Sequence, residues 1–424
     1  MTTRRPKLPP PGPADLDVIQ GLVARNYDPM SCVSHNVLTV RDPAAAKKFV
    51  VELAQSVTTA GGGLGETCIN LGFTFHGLRA MGLTKECDAM VKNPQFKVFV
   101  KGAVDGAETI GDVGPGSPRT WVDELKESED VHALLTIHGR SRPALVKECD
   151  IRLDAAKRGF EPTYVRDGAK LQDGSIHFGY RDGISQPNIE GLPDRNSQDA
   201  QPMVPTGAFV LGYESQFEGH SYDFEFEDFP RALGRNGTFA AFRIMKQDVK
   251  GFEEFLETKA RADGTNPELV AAQLCGRWRD GTPLVISPNQ QKNDQTNNFD
   301  YSGENAAACP FSSHIRRTNP RNDKVAGDAG RKHRIVRATL PYGDPWRPGG
   351  NDDADRGLVG LFFCANLEDQ FEFIMRNWVI RGGAQGSLPA TEADPLIGLQ
   401  SFVHTRGGAY LFYPSVVGLR HIGE

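Results

Sequence analysis

The sequence lacks the features that mark membrane, disulfide-rich and nucleic-acid-binding proteins. No apolar run approaches the ~18 residues that a membrane span needs, so we expect no membrane association. The 7 cysteines are scattered over 424 residues without CxxC spacing, which argues against a disulfide framework and fits a reducing compartment. The formal net charge is -6, whereas nucleic-acid-binding domains are usually basic. These absences predict a cytoplasmic protein with no nucleic-acid partner.

The N-terminus also lacks the apolar segment of an export signal. Arg4 and Arg5 resemble a twin-arginine signal, but prolines follow where an apolar stretch of ~7–15 residues would be required. We therefore expect no export, and we interpret residues 1–30 as a flexible lead.

Apolar, β-branched runs alternate with stretches of helical period, and two such units lie in each half of the chain. The units are SHNVLTVRD before PAAAKKFVVELAQSV, VHALLTIHGR before SRPALVKECDIRL, NGTFAAFRIMKQ before DVKGFEEFLETKAR, and GLVGLFFCAN before LEDQFEFIMRNW. This pattern predicts an α+β protein whose helices pack against largely antiparallel sheets. The polar, proline-bearing stretch at 191–207 predicts a boundary between an N-terminal half, 31–200, and a C-terminal half, 201–424.

A long polar segment from Ser287 to about Arg334 contains the stretch ACPFSSHIRRTNPR, in which His314 precedes a basic cluster. The cluster consists of Arg316, Arg317 and Arg321. Such arginines suit anionic groups, and a neutral imidazole beside them could ligate a metal whose organic frame carries carboxylates, as haem does. A structural histidine is the ordinary alternative. A zinc site of Cys309 with His314 is weakly supported, because no second ligand pair is suitably spaced.

Two further motifs centre on Asp182, in HFGYRDGISQPNIEG, and on Arg337, in HRIVRATLPYG. Asp182 could belong to a plain turn, or its glycine neighbours could let the backbone approach a flat ligand. Strand alternation would place Arg337 and Thr339 on one face, and a solvated arginine on an edge strand is the simpler alternative. Each motif is ambiguous when taken alone.

In this order, GYRDGISQP, CPFSSHIRRTNPR and IVRATLPYG resemble motifs of the dye-decolourising peroxidase family of haem enzymes. Supporting similarities run along almost the whole chain, in INLGFTFHGLRAMGL, NGTFAAFRIMKQDV, ANLEDQFEFIMRNW and FVHTRGGAYLFYPS. The resemblance implies an α+β fold of the dimeric α+β barrel type, built from two ferredoxin-like halves. It also implies a b-type haem held mostly by the C-terminal half, with the GxxDG loop closing over it.

By this motif match, His314 would be the proximal ligand of the iron, and Asp182 and Arg337 would form the distal pair, with Gly183 and Ile184 beside the haem. Asp182 would carry a proton from one peroxide oxygen to the other, directly or through one water. Arg337 would stabilise the charges that develop. A carboxylate stays ionised at lower pH than an imidazole, so such a pair permits activity in acid.

Further roles that the resemblance implies concern both sides of the haem. Glu368, with Asp369 as its close rival, would accept a hydrogen bond from the far nitrogen of His314. Arg321 would bind a haem propionate.

Leu361 and Phe363 would form a dry distal wall, for which ordinary sheet core is an equally good reading. Thr339 replaces the Gly or Asn of several family members. This departure leaves open how the work is divided between Asp182 and Arg337.

The resemblance implies a homodimeric peroxidase that reduces hydrogen peroxide and oxidises dyes, phenols or similar electron donors through ferryl intermediates. One alternative is a haem-binding or haem-handling protein of the same fold without peroxidase turnover, which would need neither Asp182 nor Arg337. Another is a non-haem module that recognises an anionic metabolite through the basic cluster after His314.

Overall fold

A computed structural model describes residues 9–25, 27–193, 201–222, 230–303, 307–321, 332–349, 354–380 and 401–424. Within these residues, the strands are β1 (Cys32–Val40), β2 (Thr67–Phe73), β3 (Ala133–Gly139), β4 (Phe160–Ala169), β5 (Thr238–Gln247), β6 (Val336–Tyr342), β7 (Gly357–Cys364) and β8 (Val403–Tyr413). They form one 8-stranded antiparallel sheet in the order β4-β1-β3-β2-β8-β5-β7-β6.

Helices connect the strands and cover the sheet. They are α1 (Pro13–Leu16), α2 (Gly21–Ala24), α3 (Pro43–Leu53), α4 (Phe75–Ala80), α5 (Thr84–Lys92), α6 (Lys97–Gly106), α7 (Arg142–Ala156), α8 (Arg231–Gly234), α9 (Val249–Asp263), α10 (Pro267–Cys275), α11 (His314–Thr318) and α12 (Val416–Gly423). Two π-helical turns, Leu367–Glu372 and Ile374–Ile380, follow β7. Short 3-10 turns fill several of the loops.

All four predicted strand-then-helix units are confirmed: β1 leads into α3, β3 into α7, β5 into α9, and β7 into the π-helical turns. Side-chain caps explain where two of the helices begin. Asp42 accepts hydrogen bonds from the backbone of Ala44 and Ala45 at the start of α3, and Asp248 accepts one from Gly251 at the start of α9.

The sheet consists of two groups of four strands with the same internal order. The first group runs β4-β1-β3-β2 and the second β8-β5-β7-β6, so each shows the 4-1-3-2 order of a ferredoxin-like unit. The groups join where Phe73 of β2 pairs with Phe412 of β8. The outer strands β4 and β6 also approach each other, since the Arg166 guanidinium lies 4.6 Å from the centroid of the Tyr342 ring. The predicted fold of two ferredoxin-like halves is therefore confirmed.

The segment interpreted as a flexible lead differs from that expectation from Pro13 onward. Ile19 and Leu22 are almost completely buried, and the Gln20 side chain donates hydrogen bonds to the carbonyl oxygens of Leu71 (2.8 Å) and Pro414 (2.9 Å). Burial of the apolar side chains of Ile19 and Leu22 holds the segment against the sheet. The proposed boundary at 191–207 includes residues 194–200, which lie outside the described residues.

All 7 cysteines are free thiols. Across the described ranges, no helix is both long enough and apolar enough to cross a membrane.

Candidate active site

The GxxDG loop, residues 179–183, is shaped by its glycines. Gly179 and Gly183 have φ angles of 84° and 75°, in the left-handed region that side-chain-bearing residues rarely adopt. Asp182 is exposed, and its Oδ1 accepts a hydrogen bond from the Gly183 backbone at 2.7 Å. The Arg181 backbone N–H donates to the Arg279 carbonyl at 3.0 Å. The chain therefore turns just before and just after Arg181 and Asp182.

The loop continues into Ser185 and Gln186, which dock onto β6 at Arg337. The Gln186 side chain donates to the Arg337 carbonyl (2.7 Å) and accepts from the Arg337 backbone N–H (3.2 Å). The Arg337 guanidinium in turn donates to the Ser185 carbonyl (2.5 Å). Because β6 is the outer strand of its group, these backbone groups need a partner other than a neighbouring strand. Gln186 thus fixes Arg337 relative to the GxxDG loop.

The side chains of Asp182, Arg337 and Thr339 come together at this edge. The Thr339 hydroxyl donates to Asp182 Oδ2 at 3.3 Å. Arg337 and Thr339 project from the same face of β6, as alternation along the strand predicted. The carboxylate is consequently held through both of its oxygens.

His314 is the first residue of α11, directly after Ser313, whose hydroxyl lies 3.0 Å from the Cys309 sulfur. Its imidazole has accessible surface, yet surrounding protein lowers its pKa to about 4. The positive charge of Arg337 lowers this pKa further, and the negative charge of Asp182 raises it. His314 is therefore neutral near pH 7 and lies within electrostatic reach of Asp182 and Arg337.

A cavity of about 340 Å³ opens beside the loop. Asp182, Arg337 and Thr339 line one side of it, and His35 and His138, from the inside of the curled sheet, line another. Small molecules can thus reach the Asp182 carboxylate without a change in the fold.

Comparison with known proteins identifies the family. The model of the C-terminal region of Dyp-type peroxidases matches residues 279–418, which include His314 and Arg337. The dye-decolorizing peroxidase msp1 of Mycetinis scorodonius is 27% identical over 412 residues, spanning 84% of this chain and 76% of that protein. Residues 279–418 match the C-terminal region of the dye-decolourising peroxidase family, and similarity to these peroxidases extends over most of the chain. It is accordingly a peroxidase, an oxidoreductase of a family of haem enzymes.

Solved structures agree with this assignment. An ancestral D-type dye decolorizing peroxidase superposes with a TM-score of 0.81 at 25% identity, over 96% of this chain and 99% of that one. A dye-decolorizing peroxidase in complex with 2,6-dimethoxyphenol superposes with a TM-score of 0.80 at 24% identity, over the same shares of the two chains. The fold of the peroxidase is thus shared along almost its whole length.

The predicted distal wall of Leu361 and Phe363 is wrong. Arg337 of β6 pairs with Phe362 of β7, so Leu361 and Phe363 point to the opposite face of the sheet from Arg337. Both are buried in the core, where the Phe363 ring lies 5.3 Å from that of Tyr413. A one-residue change of register reverses the face of every side chain, and the apolar run GLFF does not itself reveal its register.

Arg321 is buried, with 7% of its surface exposed, and its guanidinium faces the segment 297–299. One nitrogen donates to the carbonyl oxygens of Asn297 (2.8 Å) and Phe299 (2.9 Å), and the group lies 3.9 Å from the Phe299 ring centroid. Asn297 also donates to the Ile184 carbonyl (2.6 Å), which ties this segment to the stretch directly after the GxxDG loop. The predicted role of Arg321 toward a propionate remains a prediction.

The two carboxylates predicted to support His314 lie in the π-helical turns after β7. Asp369 accepts a hydrogen bond from the Tyr222 hydroxyl at 2.7 Å, and its carbonyl oxygen bonds His333 Nδ1. Burial raises the pKa of the Glu372 carboxyl, and the nearby charge of Glu368 raises it further. Among the described residues, neither Glu368 nor Asp369 is one of the charged groups that shift the pKa of His314. The predicted role of Glu368 or Asp369 toward His314 remains a prediction.

The donor set of the site fits haem better than a bare metal ion. In the part of the chain that the structure describes, no three His, Cys, Asp or Glu side chains cluster as a metal site. Haem brings four nitrogen ligands of its own and needs a single imidazole from the protein. His314, whose imidazole is neutral and within electrostatic reach of Asp182 and Arg337, is a candidate for that ligand.

Proposed function

We propose that this protein is a haem b peroxidase that reduces hydrogen peroxide and oxidises dyes, phenols or similar aromatic donors. The observation that carries the proposal is the anchoring of Asp182 and Arg337 at the edge of β6, within electrostatic reach of the neutral His314. The complex of a relative with 2,6-dimethoxyphenol supports phenols as donors.

His314 would hold the haem iron through an imidazole nitrogen. Its low pKa of about 4 keeps the nitrogen lone pair available in mildly acidic as well as neutral solution. When bound, the haem supplies the redox centre that takes up the oxidising equivalents of peroxide and passes them to the donors.

Asp182 would act as the proton carrier of the peroxide step. An ionised carboxylate takes the proton from one peroxide oxygen and returns it to the other, which leaves as water. Gly183 and Thr339 each bond one of its oxygens and hold it in place. Arg337 carries a fixed positive charge, and only one of its nitrogens bonds Ser185, so other N–H groups can donate to a peroxide oxygen.

Stopped-flow spectroscopy tests the assignment. The haem-loaded wild type, Asp182→Asn and His314→Ala would each be mixed with one equivalent of hydrogen peroxide. Asp150→Asn, a change at an exposed aspartate of α7, is the matched control. We expect a rapid change of the haem absorption band in the wild type and the control, slowed about 100-fold or more in Asp182→Asn. His314→Ala should show altered haem binding.

The outcomes separate the competing functions. A normal rate in Asp182→Asn would move proton transfer to another group and would contradict the role of Asp182. A wild-type protein that takes up haem but leaves peroxide unchanged would favour the haem-handling alternative. A protein that takes up no haem would favour the anion-binding one.

We further propose that the peroxidase is a homodimer, as the family resemblance implies. Light scattering coupled to size-exclusion chromatography measures this directly, since a 46.4 kDa chain would appear at twice its mass. A monomer mass at micromolar concentration would contradict the proposal.

A further inference from the structure

The Asn297 side chain bonds the catalytic loop and two buried arginines at the same time. Its Nδ2 donates to the Ile184 carbonyl at 2.6 Å. Its Oδ1 accepts from Arg277 at 2.6 Å and from Arg321 at 3.4 Å. Asn297 is 7% exposed, so this small amide is shielded from water and its bonds do not compete with solvent.

Both arginines are fixed independently of the amide. Arg277 donates to the carbonyl oxygens of Gly281 (2.8 Å) and Thr296 (3.0 Å), and Arg321 donates to the main chain at 297 and 299. The two guanidinium groups lie 5.3 and 3.9 Å from the centroid of the Phe299 ring. Two cations therefore determine that the oxygen of the amide points toward them and that its nitrogen points toward Ile184.

The tether to Ile184 acts close to the chemistry. Ile184 lies two residues after Asp182, beyond Gly183, in a loop whose outer surface is exposed. The loop is bonded to Arg279 on one side and to β6 on the other, whereas Asn297 bonds the segment that ends at Arg321, seven positions after His314. Asn297 thus connects the loop that carries Asp182 with the segment that carries His314.

We propose that Asn297 is a positioning residue that sets the place of Asp182 relative to His314 and thereby the rate of the peroxide step. The proposal rests on the proposed function. Loss of the tether lets the loop shift, and a displacement of about 1 Å in a catalytic group can cost 100-fold in rate. The fold itself depends on the arginines and Phe299 more than on the amide nitrogen.

Asn297→Asp separates the two roles of the amide. The carboxylate keeps an oxygen acceptor for Arg277 and Arg321, but it replaces the donor to Ile184 by a second acceptor, which repels the Ile184 carbonyl. Asn298→Asp is the matched control, because it makes the same change at the next residue, which is exposed. We expect Asn297→Asp to keep the thermal midpoint and haem uptake of the control while its peroxide rate falls about 10- to 100-fold.

Hydrogen–deuterium exchange on the haem-free protein gives a readout that does not depend on activity. Amides of residues 179–186 should exchange faster in Asn297→Asp than in Asn298→Asp, with other segments unchanged. Unchanged exchange, or an unchanged peroxide rate, would overturn the proposal. If Asn297→Asp does not fold, Asn297→Ser retains a polar oxygen but is too short to reach Ile184, and the same expectations apply to it. Failure of the proposed function would appear separately, as a normal rate in Asp182→Asn.

Discussion

The Asp182 carboxylate is held by two donors of different kinds, and only one of them depends on a side chain. Gly183 offers its backbone N–H, which only a substitution by proline would remove, whereas Thr339 offers a hydroxyl across 157 positions of sequence. The contact of Thr339 to Asp182 therefore depends on a single hydroxyl oxygen.

Thr339→Val removes that oxygen while nearly preserving the shape of the side chain. We expect the peroxide rate to fall about fivefold, because a hydrogen bond of this kind contributes ~1 kcal/mol to holding its acceptor. Thr339→Ser, which keeps the hydroxyl, should react like the wild type. Stopped-flow rates for the three haem-loaded proteins check this. Equal rates in Val and Ser variants would show that Thr339 merely occupies space.

Sequence alone located the residues whose type and neighbours form a motif, and missed those whose role depends on distant contacts. His314, Asp182 and Arg337 each lie in a distinctive stretch, and the charges of Asp182 and Arg337 act on the pKa of His314. Gln186 bonds Arg337 across 151 positions, and Asn297 bonds Ile184 across 113. In the sequence, Gln186 is only a polar residue after a glycine-rich loop, and Asn297 is only one of many polar residues in a long segment. Neither position indicates which residue the side chain will bond.

At the scale of elements, local periodicity sufficed for the strand–helix units but not for their assembly. Apolar alternation and capping residues such as Asp42 act within a few positions, so they are visible in the sequence. The 4-1-3-2 order and the pairing of β6 with β7 arise from contacts between distant segments. The error at Leu361 and Phe363 has this origin, since the strand was predicted and its register was not.

The GxxDG loop depends on a backbone conformation at position 183 that the substitution Gly183→Ala would strain. An added Cβ would meet no atom within 4 Å, so any effect comes from the φ of 75° alone. We expect a cost of about 1 kcal/mol, taken up by the loop as a shift of Asp182 and a several-fold slower peroxide step. Gly63→Ala is the control, because its Cβ also meets open space and its φ is not positive. Peroxide rates and urea unfolding of both variants measure the effect, and identical behaviour would contradict it.

On the scale of the whole molecule, the curled sheet encloses two histidines in its interior next to the distal cavity. His35 and His138 are 2% and 7% exposed, and their ring centroids lie 6.5 Å apart. Burial lowers the pKa of each imidazole to about 3, so both are neutral in the folded protein over the whole neutral range. The free energy of unfolding of a protein with two such groups in its core decreases in acid more than that of a protein with a purely apolar core.

The pH dependence of unfolding follows from this difference in proton binding. An unfolded histidine titrates near pH 6.5, so between about pH 3 and 6.5 the unfolded chain binds protons that the folded chain excludes. The free energy of unfolding is therefore unaffected by the titration of these histidines above about pH 6.5, and it decreases as the pH falls toward 3. At pH 5 the loss relative to pH 7 approaches about 2 kcal/mol for each buried histidine.

His138→Gln removes one of these titrating groups, so its free energy of unfolding should fall less between pH 7 and pH 5 than that of the wild type. His421→Gln, at a partly exposed imidazole near the end of α12, should leave the wild-type slope unchanged. Urea unfolding of the haem-free proteins at both pH values measures the slopes without interference from the iron ligand. Equal slopes in all three proteins would mean that the buried imidazole of His138 gains a proton in the folded state, and that the interior of the sheet admits water at acid pH.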